Sequence, residues 1–368
     1  MREITHVIDP DGEVILLLVT SDAPFAVLHN DPEPASAPVA QGQGVRTAGE
    51  AGPVPSRTTP TRVPFIKEIP EPALHRIRVS AKHLTFASVV FEKTLSDKWK
   101  EGAELRDQGW VEIQTPHWDL DSFLLLLRII HGHNDNVPVR MNVEQLARLA
   151  VIADYYDCRR VLGFFSSVWI DYLVGNTFTT YRDVMLWLWI CWYFQIADEF
   201  SEITLFLMRR SDRPIESLGL PIPDNIIAQL NQKRDSSIQL LLDLLYGHLE
   251  YYRDGCGECG YARNSMMFGA LAKHLRTMGL VLTPPKPPFR GFSDSSLHDS
   301  VRAFRLPEWH AARGDTEKHE CVAVGSSKSL MRLNSLSMWE GLRIPGLPDE
   351  EESADGSVNG AAGELSDG

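Results

Sequence analysis

The side chains best suited to chemistry are thiols and imidazoles in the last third of the chain. Gly255-Cys256-Gly257-Glu258-Cys259-Gly260 is a C-x-x-C pair set among glycines. A turn of this kind aims two thiolates at one point, and glycine permits the backbone angles it needs. Tetrahedral zinc takes two further ligands. His319-Glu320-Cys321 offers a His and a Cys two residues apart, on one side of the chain if that segment is extended. Cys256, Cys259, His319 and Cys321 would then form a Cys3His structural zinc site that staples the C-terminal region. The gap of about sixty residues and the H-x-C half depart from finger spacing, and the alternative is a Gly-rich loop with free thiols. A redox C-x-x-C would need a βαβ setting that the flanking sequence lacks.

Other polar residues offer less. Trp118-Asp119-Leu120-Asp121 pairs two carboxylates, but they open a helix, where acids favour the positive end of the dipole, so they read as caps. His131-Gly132-His133 has metal-binding side chains and reads as a polar loop after a helix. Ser88 has no His or Asp arranged to activate it. Lys82 and His83 read as solvated helix positions. No G-x-x-x-x-G-K phosphate loop and no G-x-S-x-G elbow occurs. The chain therefore reads as non-enzymatic. The rival reading is an enzyme, or a zinc-stapled regulatory protein, with its site around Cys256, Cys259 and His319.

Composition sets wider bounds. A length of 368 residues, 43% hydrophobic, favours two domains with real cores. Net charge is −13, which disfavours nucleic acid, because phosphate binding needs clustered Lys and Arg. Seven acids and no base lie between Asp349 and Asp367, so about half the excess is local. Five cysteines and no leader peptide suggest a reducing intracellular setting, cytoplasmic or nuclear. The most apolar run, Val184 to Ala197, is fourteen residues long and broken by Gln195. A membrane span needs ~20, so this run reads as a buried core helix.

The elements that position these residues follow from periodicity and punctuation. Asp9-Pro10-Asp11-Gly12 is a turn, and Glu13 to Val19 a strand whose unbroken apolar run implies burial on both faces. Residues 29–72 hold nine of the 23 prolines and few large apolar side chains, and read as a disordered insert. Ile77 to Val79 reads as the next strand. Ser80 then caps a helix whose Leu84, Ala87, Phe91 and Leu95 share one face. Trp110 to Ile113 alternates as a third strand. A helix spans Leu120 to His131, and Asn142 with Gln145 forms a capping box for the next. A further helix starts at Asp157 and ends near Gly175. Beyond it the spacing predicts one long helix over Asp183–Arg210, one begun at Pro221-x-Pro223, and one over Ser237–Tyr252. Leu330 to Leu342 suits a short amphipathic helix, and residues past Pro345 read as disordered.

Several of these strings carry a family resemblance. Val79-Ser80-x-x-x-Leu84-x-x-x-Ser88-x-x-Phe91 resembles the strand–helix signature of the BTB/POZ fold. DPDGEVILLL, and RIIHG followed by VEQLARLAVIADYYDCRRV, resemble segments of BTB-like proteins of the fungal type whose function is unassigned. The resemblance covers residues 9–173 apart from the insert. It implies an α+β fold, a small sheet capped by helices, followed by an all-helical C-terminal domain. The expected organisation is a BTB/POZ-like domain over 1–28 plus 73–175, the insert 29–72, a helical domain 176–283, an extension 284–344 and an acidic tail 345–368. The implied function is an adaptor or self-associating scaffold. Its implied partners are a cullin-type ubiquitin-ligase scaffold, a transcriptional regulator or a second copy, with neither nucleic acid nor membrane. The signature residues Val79, Ser80, Leu84, Ser88 and Phe91 mark the stretch around which the chain is organised. Its helix and the Leu120–His131 helix are the expected partner surface.

Overall fold

Two runs separated by more than fifty residues of sequence form the centre of a small sheet. Strand β2 (Val14–Val19) pairs antiparallel with β3 (Leu74–Val79), from Val14 opposite Val79 to Val19 opposite Leu74. The short β1 (His6–Val7) adds parallel to β3, and β4 (Val111–Gln114) parallel to β2, giving the order β1-β3-β2-β4. The computed structural model describes residues 3–20, 24–27, 73–176, 178, 180–255, 260–280, 283–305 and 340–346. It is an α+β protein, mostly helical, built on this one mixed sheet.

Val14, Leu16, Leu18, Ile77, Val79 and Val111 lie on the buried face of the sheet. Burial on both faces, expected from the apolar run, holds only in part: Leu17 and Val19 are half-buried. Their face also carries Arg78 and the Arg76–Glu112 ion pair, in which Arg76 is buried while the Glu112 carboxylate keeps access to water. The Asp9–Gly12 turn lies so close to β3 that a Cβ on Gly12 would sit 2.4 Å from the Val79 carbonyl oxygen.

The organising helix is two helices. Helix α1 (Ala81–Ala87) stops at Ser88, whose extended backbone starts α2 (Val89–Thr94). Then come α3 (Lys100–Gln108), α4 (Leu120–Ile130), α5 (Val143–Tyr155) and α6 (Gly163–Leu173). Asp119 caps α4 through Ser122, and Asn142 with Gln145 forms the expected capping box on α5. Helix α6 begins later than the sequence suggests. Asp157 takes a positive φ of 49° and a 3-10 turn over Arg159–Leu162 comes first.

The long helix expected over Asp183–Arg210 is also two, α7 (Tyr181–Phe194) and α8 (Ala197–Arg210). Gln195 between them is left-handed at φ 63°, and its side-chain amide donates back to the Trp192 carbonyl. Conversely, the two helices expected after Pro221 are one, α9 (Asp224–Asp254), 31 residues long. Helices α10 (Tyr261–Thr277) and α11 (Asp294–Arg302) complete the described helices.

Apolar packing forms two clusters. The first runs from the sheet through α4, α5 and α7 to Leu230 on α9; the second runs from Ile238 on α9 to Val301 on α11. Arg234 lies between them on α9 and is fully buried. Its guanidinium donates to the carbonyls of Ser211, Pro288, Phe289 and Phe292 and to the Asp235 carboxylate, 2.6–3.1 Å away. Every N–H of that fork finds an acceptor, which is what makes a buried charge tolerable.

Candidate functional site

Cys256, Cys259, His319 and Cys321 lie outside the described residues. Among the described residues no three His, Cys, Asp or Glu side chains are placed to hold a metal. The glycines around Cys256 also spell G-x-G-x-x-G, but this spacing cradles a dinucleotide only after a strand. Here helix α9 runs up to Asp254. The described thiols, Cys158 and Cys191, are buried and unpaired. Burial, joined by the Asp157 charge, pushes Cys158 up to about 12; burial raises Cys191 as well. Both stay protonated near neutral pH and are poor nucleophiles.

The family-signature residues form the junction between sheet and helices. Val79, Ser80, Leu84, Ser88 and Phe91 are all buried. None can touch a partner while the fold is intact. The expected Ser80 cap does not form. Glu13 instead accepts the Ala81 N–H at 3.1 Å, and His131 Nε2 accepts the Ser80 N–H at 3.0 Å. His131 Nδ1–H donates to the Leu127 carbonyl at 2.7 Å, so both ring nitrogens are used and the imidazole is neutral. The histidine ending α4 is thus a backbone clamp. Ser88 takes the capping role downstream. Its hydroxyl accepts from Phe91 N–H and donates to the Tyr156 carbonyl at the end of α5. The Phe91 and Tyr156 rings stack at 4.5 Å.

Helix α4 is almost wholly core from Ser122 to Ile130, so only its first turn and Arg128 reach the surface. On the organising helix pair Phe86 is 94% exposed and Val89 41%; a run of accessible apolar side chains also lies on α6. Trp169 and Leu173 point inward, while Phe164, Val168 and Tyr172, four residues apart, face outward. Phe164 is 76% exposed. The Trp169 indole N–H donates to the Pro138 carbonyl at 2.7 Å and holds the preceding loop against this helix. That loop presents Val139, 75% exposed, and sets the Arg140 guanidinium 5.0 Å from the Tyr172 ring centre.

Arg140 also lines a cleft of about 470 Å³ with Asp119, Asp121, Arg128, Glu144 and Arg148. The cleft wall is braced. Glu144 accepts from Arg148 at 2.7 Å and from Arg182 at 2.9 Å, and the Arg182 contact is the main reason its carboxyl lies below the usual range. Arg182 also donates to the carbonyls of Phe25 and Ala26, pinning the chain soon after β2. The outer face of α6 and this charged cleft therefore adjoin through Arg140.

The helix expected from Asp157 to near Gly175 contains Phe164, Val168 and Trp169, and its sequence does not separate an inner from an outer face. Which of them face water depends on what packs around α6, and spacing alone does not show that. Arg234 gave no signal either, because a lone arginine in a polar stretch reads as exposed. Comparison of the chain with protein-family models, curated proteins and solved structures gave no match.

Proposed function

We propose that this chain is a protein–protein interaction module of BTB/POZ type that receives its partner on the outer face of α6 and the cleft beside it. The observation that carries the reading is the exposure of Phe164, Val168, Tyr172 and Val139 next to a braced charged cleft. Contiguous large apolar side chains facing water on successive turns mark interaction sites. Aromatic and arginine side chains supply most binding energy at protein interfaces, and a polar rim supplies orientation. The BTB/POZ assignment is supported by the order strand, strand, helix pair, strand, helices, and by the signature residues gathering at one junction. The resemblance makes the partner a cullin-type ubiquitin-ligase scaffold, a transcriptional regulator or a second copy of this chain.

The test is affinity capture with mass spectrometry on the full chain, wild type against Phe164→Asp and Tyr172→Ser, with light scattering on each. A partner held by the wild type and lost at least tenfold by both variants, with melting unchanged, supports the reading. A halved mass for the variants makes that partner a second copy. Equal retention by all three proteins rejects the α6 surface.

A further inference from the structure

A short strap from the far end of the chain is seated against α8. We propose that α8 forms one wall of a groove that recognises extended Gly-apolar-x-apolar peptides, and that the chain's own Glu340–Gly346 is its releasable occupant. The groove uses residues other than the α6 surface and does not depend on that reading.

Recognition is built from backbone and side chain together. Gly341 lies directly on α8: a Cβ there would fall 1.9 Å from the Ser201 carbonyl oxygen and 2.5 Å from its Oγ. No other residue fits without lifting the strap. The Leu342 N–H donates to Thr204 Oγ1 at 2.8 Å, across 138 positions of sequence. Thr204 is fully buried, and its own hydroxyl proton points back to the carbonyls of Phe200 or Ser201. That leaves an oxygen lone pair for the strap. Leu342 and Ile344 are each 4% exposed and join the first apolar cluster, while Arg343 between them faces outward. Alternation of this kind belongs to an extended chain, and a groove that pairs main-chain hydrogen bonds with pockets for alternate side chains is a standard way to bind one.

The strap is held by much less than its surroundings. Leu342 and Ile344 anchor it, whereas α7 buries nine residues. Residues 306–339 separate it in sequence from the end of the described α11 region. A segment with so small a buried surface opens locally well before the core does. Release would expose Thr204 and the Leu342 and Ile344 positions to any chain carrying the same pattern.

The probe is a fluorescein-labelled synthetic peptide with the sequence of residues 338–347, titrated onto full-length protein by anisotropy. The Gly341→Val chain, whose own strap cannot seat, is expected to bind it saturably and at least tenfold more tightly than wild type. A peptide with Val in place of its Gly should not bind, and Thr204→Val added to Gly341→Val should weaken binding several-fold. Absence of binding to folded Gly341→Val, or equal binding of the Gly and Val peptides, overturns the proposal. Hydrogen exchange on wild type is the check that needs no variant. The amides of Leu342 and Ile344 should exchange at least a hundredfold faster than those of α7; exchange together with α7 overturns releasability.

Discussion

At the scale of single residues, the junction between β3 and α1 depends on one imidazole staying neutral. His131 Nε2 accepts a backbone N–H, and a proton on that nitrogen would set two donors against each other. Burial holds the group below the usual histidine range; His83 and His133 add to this, against the Leu127 carbonyl and the Asp9 charge. A base whose folded pKa is depressed is protonated more readily in the unfolded chain. Its contribution to stability is complete above about pH 6.5 and is lost as pH falls from there toward the folded value. Denaturant melts between pH 7.5 and 5 should therefore show wild type losing stability faster than His131→Gln, which keeps a donor and an acceptor but cannot be charged. Parallel pH profiles for the two proteins would remove His131 from the account. The same side chain shows what sequence reading could and could not reach. The histidine was visible after a helix, and its loop setting argued against a metal. Its clamp on Ser80 depends on α4 packing beneath β3, a contact between residues 51 positions apart.

At the scale of elements, apolar periodicity located α4, α5 and α7, and their caps at Asp119 and Asn142 were readable because short polar side chains before an apolar run have few other uses. It failed where backbone angle decides. Ser88 and Gln195 interrupt apolar stripes that continue in register on either side, so each pair of helices reads as one. The opposite error, two helices read where α9 is continuous, arose because its middle, around Arg234, is polar in sequence. Tertiary hydrogen bonds to Arg234 compensate that polarity in the folded state. Helix α9 contributes to both apolar clusters, so the two are expected to unfold together. Ser236 is exposed on this helix, two residues past Arg234. Ser236→Pro removes a helical hydrogen bond and costs about 3 kcal/mol or more. Calorimetry is expected to show one transition for wild type and two for Ser236→Pro, with the second cluster melting first. A single transition lowered as a whole would mean that loop contacts, rather than α9, couple the clusters.

At the scale of the whole molecule, the central strand pair closes over the residues read from composition as a disordered insert, now outside the described structure. Both strands of the pair were legible as strands because the β2 run is apolar after a turn signal and the β3 run precedes a helix-capping serine. The α6 surface was not, because exposure depends on what surrounds a helix rather than on its own spacing. The chain is fixed on both sides of the insert, at Ala26 by Arg182 and at Leu74 by the sheet. Between these anchors lie 47 residues, 27–73. Closure entropy grows only logarithmically, ~0.6 kcal/mol per doubling, so even a long connection leaves the sheet intact. Replacing residues 31–70 by six Gly and Ser residues shortens the connection about 3.6-fold and should stabilise the fold by about 1 kcal/mol. Urea melts read this directly, and the partner captured through α6 should still be retained. Loss of cooperative folding on that deletion would mean that the insert supplies packing to the sheet, and that the hairpin register of β2 and β3 does not stand by itself.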